Sequence, residues 1–217
     1  MTDFHFSVDD PYARKHNEFF RDARRLQWSA GILALILVVA AVLAVTLDSF
    51  STGAVLVAGA LVILAVICLV IIPALPKAMG SPQQYYDTYA LVPAVVAKVN
   101  PRDLVLMALV DAAVEGSGAS APALAVRTVT SVPGVAREVG ARVPSVAVTG
   151  GRTMSDRTHW QEISPMPVCW GTPDRDVWRA AEEAVPTSAW RRLGELVGRV
   201  DEVVATKHNL LPLDRAR

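Results

Sequence analysis

Residues 28–47 read WSAGILALILVVAAVLAVTL, and residues 54–75 read AVLVAGALVILAVICLVIIPAL, with no charged side chain in either stretch. At ~1.5 Å rise per residue, a helix of about 20 residues spans ~30 Å, the depth of a bilayer's hydrocarbon core. In lipid every backbone N–H and C=O must be bonded within its own segment, so uniformly apolar runs of this length read as helices. Asp48 to Gly53 leaves room only for a tight turn. The two helices, 28–47 and 54–75, are therefore expected as antiparallel neighbours, a transmembrane hairpin filling residues 28–76.

Five basic residues, Arg14, Lys15, Arg21, Arg24 and Arg25, precede the first run, none lies in the turn, and Lys77 follows the second. The positive-inside rule then puts both termini in the cytoplasm, with the chain multi-pass in the plasma membrane. Trp28 sits where interfacial aromatic anchors sit, and Pro73 and Pro76 are expected to end the second helix at its exit depth. A cleaved signal peptide has a similar outline, but the long basic leader, the full-length apolar core and the second run close behind argue against one. Asp9 or Asp10 followed by Pro11 is a helix start, so residues 1–27 read as an N-terminal amphipathic helix lying at the cytoplasmic interface. Packing of this helix on the soluble domain is the alternative.

The 217 residues carry balanced formal charge, which hides the leader's basic cluster; placed just before the first apolar run, it reads as a topology signal rather than the basic face across a folded domain that nucleic-acid binding would want. A hairpin without charge lacks the groups that line proton and ion paths, so it reads as an anchor rather than a transporter. Pairs of alanines four apart, Ala30/Ala34, Ala40/Ala44 and Ala54/Ala58, would let the two backbones approach closely. Cys68 and Cys169 fall in the second apolar run and the distal region, an implausible disulfide pair.

After a linker over residues 77–90 the period changes. Residues 93–99 and 104–110 are short, partly β-branched runs around Asn100-Pro101-Arg102-Asp103, which is turn chemistry. Further runs cover residues 124–132, 142–149, 159–164 and 166–170, punctuated by Gly and Pro. These point to a small barrel or sandwich and predict a mainly-β, barrel-like domain over residues 91–171, with prolines at edges, strand starts or bulges. Thr172-Pro173-Asp174 opens a helix to about Ala184, and Pro186-Thr187-Ser188 opens another whose Trp190, Leu193, Val197, Val200 and Val204 share a face. Residues 172–217 are thus helices packed on the barrel, ending in a frayed tail from Pro212. The fold class is α+β: a two-helix hairpin, a small barrel-like domain and C-terminal helices.

The basic leader, the hairpin, the segment Val92-Pro93-Ala94-Val95-Val96-Ala97-Lys98-Val99-Asn100-Pro101-Arg102-Asp103 and the stretch from His159 through Pro167 to Trp170-Gly171-Thr172 together resemble a family of uncharacterised corynebacterial and mycobacterial membrane proteins. The resemblance covers most of the chain. It implies a mainly-β cytoplasmic domain with C-terminal helices in an actinobacterial plasma membrane, and it brings no activity or site residues. The layout alone is also similar to membrane-anchored OB-barrel proteins of the NfeD type.

Reactive side chains are densest at Asp156, Arg157, His159, Glu162, Cys169 and Asp174. A Cys/His nucleophilic pair would need Cys169 and His159 within hydrogen-bond reach and a third group such as Glu162 to orient the ring. No signature sequence surrounds them, and no pair of Cys or His has zinc-ligand spacing. Gly150-Gly151-Arg152 has the makings of an anion-binding turn but reads more simply as a loop. Met166, Trp170, Trp178 and Trp190 are expected at the seam between barrel and helices. No metal, cofactor or nucleic acid is expected. The expected partners are the lipid bilayer and a protein, a second copy of the chain included. These observations favour a non-enzymatic membrane-anchored adaptor or scaffold over two alternatives: a membrane-proximal enzyme or lipid- or small-molecule-binding domain, and an accessory subunit of a transport complex.

Overall fold

The computed structural model describes residues 3–48, 50–114, 116–117, 120–152 and 158–213. They divide into two compact units, one formed by Met1–Asn17 with Pro82–Arg217 and the other by Glu18–Ser81. The leader is accordingly not one interfacial helix. Helix α1 (Asp10–His16) stops at Asn17, and α2 (Glu18–Leu47) begins at the next residue. The break is held by a side chain: Asn17 is extended, with ψ 115°, and its Nδ2 donates to Met166 Sδ at 3.0 Å. The residues before it are tied to the later part of the chain. Asp9 N–H donates to Gly171 O at 2.9 Å, and Val8 N–H to Gln83 Oε1 at 2.8 Å. Gln83 Nε2 returns a bond to Phe6 O, and the Phe6 ring meets Tyr86 edge-on at 5.0 Å.

The Glu18–Ser81 unit is a helical hairpin of α2 and α3 (Thr52–Met79), both long and apolar enough to cross a membrane. The buried face of α2 is Ala30, Ala34, Leu37 and Ala41; that of α3 is Ala54, Ala65 and Cys68, with Leu61 and Ile72 packed against it. Steps of three and four residues give a period near 3.5, the repeat of a left-handed helix pair. Small side chains along it let the backbones come close. Ala30 and Ala34 lie on this seam as the spacing suggests; of Ala54 and Ala58 only Ala54 is buried, and Ala41 takes the place expected of Ala40 and Ala44. The opposite faces are bare, with Leu35 and Ile63 each 65% exposed and Leu56 70%. Apolar surface this continuous calls for a lipid or protein cover.

Pro73 and Pro76 do not end α3, which runs through both to Met79. Proline removes the donor that would satisfy the carbonyl four residues back. For Pro76 that carbonyl is Ile72 O, and Gln27 Nε2 on the other helix donates to it at 2.6 Å. A replacement donor keeps the helix intact past the residue that should stop it. Gln27→Ala is expected to weaken hairpin association by ~1 kcal/mol, and by almost nothing in a Pro76→Ala background, where residue 76 supplies its own N–H. Unfolding of the full chain in bicelles, run as a double-mutant cycle, checks this.

In the other unit, the expected linker contains a helix, α4 (Pro82–Thr88), whose Tyr86 is buried and donates its hydroxyl to Pro167 O at 2.8 Å. The strands are β1 (Leu91–Val92), β2 (Ala94–Val99), β3 (Leu104–Asp111), β4 (Pro122–Val129), β5 (Ser145–Thr149), β6 (Ile163–Pro167) and β7 (Leu210–Pro212). They form two antiparallel sheets, β1-β5-β6 and β2-β3-β4-β7, rather than one continuous ladder. The chain steps between sheets at Pro93, so the stretch from Leu91 to Val99 serves both. Residues 140–143 cover the outer side of β2 through Gly140 N–H to Val96 O, Val96 N–H to Ala141 O and Val143 N–H to Ala94 O, each 2.8–2.9 Å. Buried on both faces, β2 shows no alternation of apolar and polar residues until Lys98.

Two expected strands, residues 159–164 and 166–170, are instead the single strand β6 followed by a 3₁₀ turn, Val168–Trp170. The prolines fit because of parity. Ala147, opposite Pro165, spends its N–H on Ala90 O, away from β6, so this pair needs no proline donor. Pro167, two residues on, shares that parity. Helices α5 (Arg175–Ala184), α6 (Thr187–Leu196) and α7 (Val200–Val204) follow. The first starts later than expected because Asp174, not Thr172, is the cap: its carboxylate accepts from Asp176 N–H at 2.8 Å. The tail does not fray at Pro212, since β7 pairs with β4 from Ala123 to Ala125; residues 214–217 lie outside the described residues.

Candidate functional site

The residues singled out for chemistry do not converge. His159 is exposed at a bridge to Ala113, with its Nδ1 3.0 Å from the Thr158 hydroxyl. Glu162 is exposed, lying over Gly150, whose N–H donates to the Glu162 carbonyl at 2.8 Å. Cys169 sits in the 3₁₀ turn with only 5% exposure, in the core formed around Tyr86, Met166 and Trp170. Burial pushes its thiol up to about 12. A thiol held neutral at physiological pH is a core residue rather than a nucleophile. Asp156 and Arg157 lie outside the described residues, Asp174 caps α5, and the Arg152 guanidinium stacks on Trp160 at 4.5 Å.

The interface candidates also separate. Arg21, Arg24, Arg25 and Trp28 occupy the first turns of α2, and Lys77 the last turn of α3, so they share one end of the antiparallel hairpin. The opposite end carries Asp48 as its charged residue. Arg14 and Lys15 belong instead to α1 in the other unit, where Arg14 Nε pairs with Asp10 at 2.6 Å.

What the structure does assemble is a groove of about 480 Å³. One wall is the segment from Gly134 to Pro144, the other is α5, and Val168 and Cys169 line it between them. Gly134 makes the close approach possible: at φ +73° it adopts a conformation that favours glycine, and a Cβ there would stand 2.4 Å from the Trp178 ring. Trp178 is fixed from its other edge by Nε1 donating to Thr172 O at 2.9 Å. Three arginines line the groove, Arg142, Arg175 and Arg179, together with Glu138 and Glu182. Arg142 is braced by Glu182 at 2.9 Å and by the Trp190 ring, 5.2 Å from its guanidinium carbon. A second cavity, of about 390 Å³, continues past Arg142, Arg179 and Glu182 to Trp190. The sequence offered only a faint signal for this set: Arg175 and Arg179 stand one helical turn apart on a predicted helix, while Arg142 lies far away in the chain.

Residues 77–201 match DUF3239, a family described as proteins of unknown function. The chain belongs to this family. The match takes in the end of α3, both walls of the groove and every strand except β7. Among solved structures, the chain is similar to a candidate membrane protein from Corynebacterium diphtheriae, with 45% identity and a TM-score of 0.54, over 57% of this chain and 100% of that one. Comparison with curated proteins finds no match. Family and relative together support an uncharacterised actinobacterial family of membrane proteins, consistent with the two apolar helices here.

The thiol assignment is open to a direct check. With its pKa raised from 9 to about 12, Cys169 in the folded chain is expected to alkylate ~1,000-fold more slowly at pH 8 than the same thiol after denaturation. Timed iodoacetamide labelling with peptide mass spectrometry measures it; comparable rates would restore Cys169 as a reactive residue.

Proposed function

We propose that this protein is a membrane-anchored adaptor or scaffold that recruits a protein partner in membrane or cell-envelope organisation, with both termini in the cytoplasm. The observation that carries the reading is connectivity. A single folded unit is built from Met1–Asn17 and Pro82–Arg217, and the apolar hairpin is an insertion between them. A water-soluble unit that the chain leaves and re-enters has to lie on one side of any bilayer the insertion crosses, so two crossings fit and one does not. Charge supports which side: Arg21, Arg24, Arg25 and Lys77 gather at the end of the hairpin next to that unit in the chain, against Glu18 and Asp22. The inserted helices bring no charged residue between Gln27 and Asp48 or between Ser51 and Pro76, which suits an anchor.

Two measurements test this. In a chain freed of Cys68 and Cys169 by alanine, Phe50→Cys in the 71%-exposed turn position is expected to react with an impermeant maleimide on intact cells, and Arg102→Cys only after permeabilisation. The reverse pattern overturns the orientation. Crosslinking of the full chain in living cells, followed by mass spectrometry, is expected to return a reproducible protein partner, a second copy included. A clean set of crosslinks to lipid alone overturns the adaptor.

A further inference from the structure

We propose that the groove between residues 134–144 and α5 binds a phosphate group carried on a partly apolar small molecule, with Arg175 and Arg179 as its donors. This goes beyond the adaptor reading and does not depend on it. The volume of about 480 Å³ falls in the range of small-molecule sites, roughly 300–1,000 Å³. Its lining divides by chemistry. Val135, Ala136 and the half-buried Trp178 indole offer an apolar wall, and the guanidinium groups offer planar forks that match the oxygens of a phosphate.

The three arginines differ in how free they are to bind. Arg142 is committed to Glu182 and Trp190, so it is the least free of the three to turn to a ligand. Among the described residues Arg179 is held only by Asp176 at 3.2 Å, an exposed pair with side chains 69% and 83% accessible, which an incoming anion readily replaces. Arg175 has no ion pair among the described residues. Spaced by one helical turn, Arg175 and Arg179 present their donors on the same face of α5. The helix N-terminus itself is not the attraction, because Asp174 already occupies it. With Glu182 committed to Arg142, Arg175 and Arg179 stand against Glu138 alone and leave the groove positive, and a phosphate suits it because its oxygens can engage two guanidinium forks at once.

A membrane phospholipid and a soluble organic phosphate share this chemistry. The test uses the full chain in phosphatidylcholine nanodiscs, titrated by calorimetry with phenyl phosphate in one arm and with water-soluble dihexanoyl phosphatidic acid in the other; phenol and dihexanoyl phosphatidylcholine serve as controls. Saturable binding in at least one arm is expected, weakened at least tenfold by Arg175→Gln with Arg179→Gln at an unchanged melting temperature. The tighter arm identifies the source. If neither phosphate binds, if phenol or dihexanoyl phosphatidylcholine binds as tightly as its phosphate counterpart, or if the double variant binds both phosphates as well as the parent, the proposal is overturned. None of these outcomes touches the partner-recruitment reading, which is scored by crosslinks to protein.

Discussion

One covalent constraint organises this molecule: a single folded unit is interrupted by its own hydrophobic hairpin. Residues 3–17 are bonded to residues far along the chain, by Val8 to Gln83, Asp9 to Gly171 and Asn17 to Met166. Removing them would open the core beside Tyr86 and Trp170, since Phe6 and Val8 pack against that cluster. The leader is therefore a structural part of the domain and at the same time the entry to α2. Two further requirements meet in the hairpin. Backbone groups must find partners where water is scarce, and the seam must be narrow. Gln27 meets the first at Ile72 O, and Ala30, Ala34 and Ala65 meet the second.

Much of the architecture was legible because its signals are local. The length of an apolar run and the absence of charge announce the two long helices, and Asn100 to Asp103 announces a turn that Asn100 closes by donating its N–H to Asp103 O. What misled was local too. A basic amphipathic leader looks the same whether it lies on a membrane or on a domain, and only the long-range bonds of Asn17 and Gln83 decide. Pro73 and Pro76 read as stops and do not end α3, whereas Pro165 and Pro167 read as edge residues and do lie on the edge strand β6; what accommodates Pro76 and Pro165 is specified outside their own segments. For Pro76 that is a side chain on another helix, and for Pro165 it is the ladder parity set by Ala147 and Ala90. Likewise β7 is three residues long, too short to carry a pattern, and is defined by the edge of β4 that it joins.

The candidate site teaches the same lesson in chemical terms. His159, Glu162 and Cys169 drew attention by residue type and closeness in sequence, but one end of their segment is a surface bridge and the other a buried turn. Over ten residues the chain passes from solvent to core, and Cys169 takes a raised pKa from that burial. The groove arises by the opposite route. Gly134, Arg142, Arg175 and Arg179 are unremarkable in sequence, and they meet because Gly134 lacks the Cβ that would push Trp178, and α5 with it, away from the 134–144 wall. Glu182 pairs with the arginine nearest Trp190, whereas Arg179 has only a solvent-exposed pair with Asp176 to answer it among the described residues. The positive charge left on the outer turn of α5 is thus a consequence of how the wall packs. It lies within the span that matches the family, 77–201, whereas most of the hairpin lies outside that span.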